Sequence, residues 1–122
     1  MIDSRISGSN VIVTVRGELD LTRSDGFRRD LDAVTEAHPE ARRLILCMDR
    51  VTFIDSSGLG IIFGTNRRLT ARGVGFAIAG PRAQAWRALE LLGVPSVIPV
   101  YDSLEQALSA RPEGGKCRNR SL

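Results

Sequence analysis

The sequence has little of what most catalytic sites need. It contains a single histidine, His38, which precedes Pro39 in a segment typical of a loop at a helix end. A hydrolase needs a base beside its nucleophile, so this scarcity argues against hydrolysis. Asp20, Asp49 and Asp55 could form a carboxylate cluster for Mg²⁺, although caps and turns explain them more simply. We therefore expect a protein that is not an enzyme and that holds no metal or other cofactor.

Cysteine and long apolar runs are also scarce. The two cysteines, Cys47 in an apolar run and Cys117 in a polar one, are too few and too differently placed for a disulfide framework or a metal site. No apolar run approaches the roughly 20 residues that span a bilayer, and the first ten residues lack the apolar region of a signal peptide. A soluble, cytoplasmic protein without a membrane span is expected.

Aromatic side chains make up 5% of the chain, with one Tyr and one Trp, which is few for stacking on bases. The net charge of +3 arises after position 110, because residues 1–110 carry 13 basic and 13 acidic side chains. A neutral body lacks the basic face that binding to a phosphate backbone requires, so direct nucleic-acid binding is disfavoured. Composition predicts one domain over residues 1–110 and a disordered basic tail over residues 111–122.

Apolar periodicity predicts strands that alternate with helices. The strands are expected at Ile2–Ile6 and Val11–Val15, which form a hairpin, and at Leu44–Met48, Val74–Ala79 and Val97–Val100. The helices are expected from a cap at Thr22 or Ser24 to His38, from Ser57 to Ala71, from Pro81 to Gly93, and from a cap at Asp102 or Ser103 to Ala110. This order predicts an α/β fold, with a mostly parallel central sheet, an antiparallel N-terminal edge and about four flanking helices.

The segment from Phe53 to Gly60 places two hydroxyl groups at the start of a predicted helix. Helix N-termini leave backbone amides unpaired and carry roughly half a positive charge, so a phosphate added there could be held by groups already in place. Phosphorylation of Ser56, or as second choice Ser57, would bring about −1.5 to −2 charges to a surface that a partner could cover. The plainer interpretation is that Asp55, Ser56 and Ser57 only cap the helix.

Three glycines follow in the first turns of this helix, namely Gly58, Gly60 and Gly64. A helical glycine costs about 1 kcal/mol relative to alanine, so something requires small residues here. Either the helix packs tightly on its own sheet, or Gly58 and Gly60 leave room for a partner's backbone or a nucleotide. Both explanations remain open, and packing is at least as good for Gly64.

The same helix carries Leu59, Ile62 and Phe63. These side chains cannot all face the sheet in so short a helix, so the pattern predicts some exposed apolar surface beside the serines. Core packing is the alternative for Phe63.

Three stretches, Gly17–Leu21, Val51–Gly60 and Val100–Leu108, give the chain a family resemblance. In their order and spacing they resemble the signature stretches of the STAS family of bacterial anti-sigma factor antagonists, over nearly all of residues 5–110. The resemblance implies the STAS fold and a role in transcription regulation by partner switching.

In that family, a partner anti-sigma factor with the histidine-kinase ATPase fold phosphorylates the serine after the aspartate, which is Ser56 here, and a serine phosphatase resets it. The unphosphorylated protein binds the anti-sigma factor and frees the sigma factor, whereas the phosphorylated protein releases the anti-sigma factor. The resemblance also implies that the Asp20 loop lies beside the phosphoacceptor loop. The partner-binding candidates are Asp20, Asp55, Ser57, Gly58, Leu59, Gly60, Ile62 and Phe63. The alternative is a non-phosphorylated STAS scaffold or transporter-accessory module.

Overall fold

The structure is a computed structural model that describes residues 2–110, a five-stranded sheet with four α-helices. The elements in chain order are β1 (Ile2–Ser7), β2 (Asn10–Leu19), α1 (Ser24–Ala37), β3 (Arg43–Ile54), α2 (Ser56–Ala71), β4 (Gly75–Ala79), α3 (Ala83–Leu91), β5 (Val100–Tyr101) and α4 (Leu104–Ser109). The strands lie in sequential order, with β1 antiparallel to β2 and the others parallel. The predicted α/β class is confirmed. The tail predicted at 111–122 lies outside the described residues.

The sheet has a large apolar core on one face and a smaller one on the other. Residues of α1, α2 and α3, among them Phe27, Ile62 and Leu89, are buried with alternate residues of the strands on the first face. On the second face, α4 contacts β3, β4 and β5, and Ala107 is buried in the smaller core. The rest of that face, toward β1 and β2, is a groove of about 500 Å³ lined by charged side chains.

Strand β3 is longer than predicted, and its extra length positions the site. Its first part pairs with both β2 and β4, which explains the continuous apolar run from Leu44 to Met48. The predicted strand is bounded by Asp49, with a short strand or loop expected after it. In the structure Asp49 is exposed, and the same strand continues to Ile54 alongside β2. The strand therefore leads directly into α2, with Asp55 as the only residue between them.

Several predicted helix ends are corrected by the structure. Neither Thr22 nor Ser24 caps α1, because the Ser24 hydroxyl donates to the carbonyl of Leu21 and the Thr22 hydroxyl donates to Asp20. Helix α3 begins at Ala83, two residues after Pro81. The cap of α4 is Ser103, one of the two residues predicted for it, and its hydroxyl accepts from the Gln106 amide.

Further along the chain, β5 occupies Val100–Tyr101 and begins later than predicted. The amides of Val97 and Ile98 instead donate to the Val94 carbonyl, in a turn that follows the 3₁₀ segment Val94–Ser96. Within residues 2–110, no helix is both long and apolar enough to cross a bilayer.

Candidate functional site

The carboxyl ends of β2 and β3 lie side by side, which brings two acidic loops together. Leu19 is opposite Ile54 in the parallel register, and the amide of Asp55 donates to the Leu19 carbonyl at 3.3 Å. Asp20 and Asp55 therefore follow neighbouring strand ends at the same edge of the sheet. This arrangement joins the predicted Asp20 loop to the predicted phosphoacceptor segment, although they are more than 30 residues apart in sequence.

Asp55 is the N-cap of α2. Its Oδ1 accepts from the amides of Ser57 at 2.9 Å and Gly58 at 3.4 Å, and its carbonyl accepts from the Leu59 amide. The capping interpretation is therefore right for Asp55. The idea that a phosphate would find free amides here is wrong for Ser57 and Gly58, because the Asp55 carboxylate already occupies them.

Ser56 is the first residue of α2, and its side chain is exposed, whereas Ser57 is half-buried. Within the described part of the chain, neither hydroxyl makes a hydrogen bond, so neither serine serves as the cap. The arrangement leaves a free hydroxyl at the surface, one residue after a carboxylate. The Ser56 side chain is thus accessible at the surface of the described part of the chain.

The glycines of α2 differ in what surrounds them. A Cβ on Gly58 would lie 2.5 Å from the Leu19 carbonyl oxygen and 2.9 Å from the Ile54 side chain, so glycine is needed for the helix to approach β2 and β3. Gly60 has nothing within 4 Å of its Cβ position. Gly64 is buried, but a Cβ there would make ordinary contacts. Tight packing therefore explains Gly58, while Gly60 faces open space.

Of the three residues named for the expected exposed apolar patch, only Phe63 is partly exposed. Leu59 and Ile62 are buried in the main core, and Phe63 is half-buried against it, so that expectation is wrong for Leu59 and Ile62. The exposed apolar side chains beside the site are Leu21, at 72% exposure, and Phe53, at 39%. The sequence analysis did not predict that these two side chains are exposed. The only signal in the sequence was their position, since Leu21 follows Asp20 and Phe53 lies two residues before Asp55.

Comparisons with known proteins show the family of the chain. The STAS domain model matches residues 1–107 of the chain. The chain belongs to the STAS domain family. It is 30% identical to an anti-sigma F factor antagonist from Paenibacillus polymyxa over 81% of this chain and 84% of that protein.

Solved structures share the fold of this STAS domain. An anti-sigma factor antagonist from Mycobacterium paratuberculosis superposes with a TM-score of 0.79 at 25% identity, covering 88% of this chain and 90% of that one. The Bacillus cell fate determinant SpoIIAA in its phosphorylated form has a TM-score of 0.65 at 20% identity, covering 88% and 96%. The resemblance to STAS anti-sigma factor antagonists inferred from the three sequence stretches is thus confirmed.

Asp20 of this STAS domain is held in a defined orientation by its own turn. Its Oδ1 accepts from the Thr22 hydroxyl at 2.9 Å and from the Arg23 amide at 3.2 Å. These hydrogen bonds, the one from Thr22 foremost, hold the pKa of the Asp20 carboxyl below its ordinary value of 3.8. These hydrogen bonds favour the ionised carboxylate and orient it within the turn that follows β2.

Gln84 of α3 is a second residue that sequence reasoning missed. Its side-chain oxygen accepts from the Ile54 amide at 2.9 Å, and its side-chain nitrogen donates to the Ile54 carbonyl at 3.0 Å. Gln84 lies 30 residues from Ile54 and belongs to no motif, so only the fold brings the two together. It anchors the last residue of β3, immediately before Asp55.

The acidic side chains of residues 2–110 do not form a cluster of metal ligands. No group of three or more His, Cys, Asp or Glu side chains there is close enough to hold an ion. Asp20 and Asp55 lie at neighbouring strand ends, but the first accepts hydrogen bonds from its own turn and the second from α2. Caps and turns therefore explain these carboxylates.

Proposed function

We propose that this STAS domain is an anti-sigma factor antagonist that binds an anti-sigma factor and thereby releases a sigma factor, until phosphorylation of Ser56 ends the binding. The observation that carries the proposal is the exposed, unbonded Ser56 hydroxyl at the start of α2. The similar protein named as an anti-sigma F factor antagonist supports the partner class. The phosphorylated form of a protein with the same fold supports the modification.

The partners in this proposal are an anti-sigma factor kinase with the histidine-kinase ATPase fold and a serine phosphatase, both cytoplasmic. The contact surface consists of Asp20, Asp55, Ser57 and Gly60 together with the exposed side chains of Leu21 and Phe53. Leu59, Ile62 and Gly58 support this surface from beneath, because they are buried. Phe63, being half-buried, contributes its accessible edge.

The electrostatics of the site explain how a phosphate would act as a switch. Phosphoserine at position 56 carries about −1.5 to −2 charges next to the carboxylates of Asp55 and Asp20. The positive end of α2 favours this charge, whereas the two neighbouring carboxylates oppose it, so the net effect on folding is small. A docked partner would have to desolvate the phosphate beside two like charges, and binding is lost.

The protein itself is proposed to be regulatory and not catalytic. The one histidine, His38, follows α1 and precedes the start of β3, whereas Ser56 follows the end of that 12-residue strand. No general base from histidine is thus available to activate the Ser56 hydroxyl within the domain. We therefore propose that another protein transfers the phosphate.

The direct test is phosphate incorporation from ATP with the cognate kinase, using wild type, Ser56→Ala and Ser57→Ala. We expect stoichiometric labelling of wild type and Ser57→Ala, with the phosphate mapped to Ser56 by mass spectrometry. Ser56→Ala should remain unlabelled. Labelling of Ser56→Ala at the wild-type level would refute the assignment.

The alternative from the sequence, a non-phosphorylated scaffold or transporter-accessory module, makes a different prediction. It requires that wild type, Ser56→Ala and Ser56→Glu bind the partner equally. The regulatory proposal requires that Ser56→Ala binds like wild type and that Ser56→Glu binds more weakly. A pull-down with the three variants separates the two functions.

A further inference from the structure

The outer edge of β1 is a free strand edge. Strand β1 pairs with β2 on one side, and within residues 2–110 no strand pairs with its other side. Such an edge presents unpaired backbone N–H and C=O groups at alternate residues, which is a template for pairing with another strand. Most of its side chains are exposed, including Ile6 at 50%.

The side chains of β1 divide between the two faces of the sheet. Ile2 and Ile6 lie opposite Val15 and Val11 of β2, which belong to the main core on the helix-covered face. Asp3 and Arg5 lie on the open, charged face, where both line the groove and Asp3 forms an ion pair with Arg16 at 2.7 Å. Ser4 separates the two charges.

The order Ile2-Asp3-Ser4-Arg5-Ile6 is self-complementary when two copies run antiparallel. With Ser4 opposite Ser4 of the second copy, each Asp3 faces an Arg5, and each Ile2 faces an Ile6. Apart from the central Ser4 pair, every cross-strand pair among residues 2–6 in this register is thus either oppositely charged or apolar. A two-fold axis through Ser4 relates the two strands, as a symmetric dimer requires.

The charges also disfavour the nearest competing arrangements. A shift of two residues in either direction keeps the faces but places Asp3 against Asp3, or Arg5 against Arg5. Parallel pairing in register places Asp3 beside Asp3 and Arg5 beside Arg5 of the second copy. Charged residues usually protect an edge strand from association, but here their signs favour the register centred on Ser4 and oppose the two antiparallel registers on either side of it.

We propose that β1 pairs antiparallel with β1 of a second copy of this chain, which joins the two sheets into one continuous sheet about an axis at Ser4. The exposed Ile6 side chain is then covered by Ile2 of the second copy. Because β1 covers only Asn10–Val15 of β2, the edge leaves Asp20 and the Ser56 loop accessible. The dimer is independent of the proposed phosphorylation and would present two switch sites on one assembly.

The test measures the oligomeric state of the full chain by sedimentation velocity, from micromolar to millimolar concentration at low salt. Wild type should form a dimer whose dissociation constant rises with added salt. Arg5→Asp and Asp3→Arg each place like charges opposite each other twice, so each should weaken the dimer about tenfold or more. Arg87→Asp, an equal charge change on the exposed surface of α3, should dimerise as wild type does.

Two further samples show whether a weakened dimer results from like charges across the axis or from loss of the fold. The double variant Asp3→Arg with Arg5→Asp restores opposite charges across the axis and should dimerise again. An equal mixture of the two single variants should form the mixed dimer, since one then carries two arginines and the other two aspartates. The proposal fails if wild type stays monomeric at millimolar concentration, if Arg5→Asp dimerises as wild type does, or if neither the double variant nor the mixture recovers the dimer.

Discussion

The carboxamide of Gln84 hydrogen-bonds to both the amide and the carbonyl of Ile54, in the manner of a neighbouring strand. Strand β4 ends at Ala79, opposite Cys47, so the last residues of β3 have no strand on that side. The Gln84 side chain supplies the missing pair of hydrogen bonds. Since Ile54 immediately precedes Asp55 and Ser56, α3 helps to fix the position of the candidate phosphoacceptor.

Replacement of Gln84 by alanine should therefore destabilise the domain. The Ile54 amide and carbonyl would lose their partners in a part-buried place, which costs about 1–3 kcal/mol of the free energy of unfolding. Urea unfolding measures the change. Gln106→Ala is the matched control, because Gln106 accepts one hydrogen bond from Asp102 at an exposed position, and its loss should cost less than about 1 kcal/mol. Equal effects of the two substitutions would contradict the anchoring role of Gln84.

Alanine at Gly58 and Gly60 should have opposite effects on stability. The new methyl group at position 58 would collide with the Leu19 carbonyl, so we expect a loss of about 1–3 kcal/mol. The methyl group at position 60 meets open space within α2, so helix propensity should stabilise the domain by up to about 1 kcal/mol. Thermal unfolding of both variants checks the pair, and a neutral Gly58→Ala would argue against the close approach of α2 to β2.

Asp20 should titrate below its ordinary pKa of 3.8, because Thr22 and the Arg23 amide donate to its ionised form. With the folded-state pKa lowered, the contribution of Asp20 to stability is present above the ordinary value and is lost as the pH falls through the folded-state value. Thr22→Val removes the largest cause and should raise the Asp20 pKa toward 3.8. NMR titration of the Asp20 carboxyl measures both values; an unchanged pKa in Thr22→Val would contradict the assignment of the cause.

Leu21 should contribute to partner binding and little to folding. Its side chain is 72% exposed beside Asp20, so Leu21→Ser should change the free energy of unfolding by no more than about 0.5 kcal/mol. Loss of an apolar contact at the interface should weaken binding of the anti-sigma factor by about tenfold. Leu91→Ser is the control, because Leu91 is 83% exposed at the end of α3. Equal binding by the two variants would remove Leu21 from the contact surface.

The order of strands and helices could be predicted because it depends on local apolar periodicity. The position of Ser56 at a helix start was also readable, since a polar cluster follows an apolar strand and precedes a helical pattern. What could not be predicted depends on contacts between distant segments. The closeness of Gly58 to Leu19 and the hydrogen bonds from Gln84 to Ile54 arise only when β2, β3 and α3 are assembled.

Errors in the predicted surface have the same origin. The sequence shows that α2 is rich in apolar residues, but the orientation of the helix on the sheet decides which of them are buried. Leu59 and Ile62 face the core, so the exposed apolar side chains at this end come from the strand ends, at Leu21 and Phe53. The free hydroxyl of Ser56 likewise depends on the fact that Asp55, and neither serine, caps the helix.

The central claim is that a phosphate on Ser56 is tolerated by the fold and rejected by the partner. The most direct measurement is the affinity of the full chain for its cognate anti-sigma factor by titration calorimetry, before and after stoichiometric phosphorylation, with thermal unfolding of the same two samples. We predict a thermal midpoint within about 4–8 °C of the unmodified protein, equivalent to about 1 kcal/mol. We also predict a loss of affinity of about a hundredfold or more, equivalent to about 2.8 kcal/mol. Equal affinities of the two forms would contradict the account.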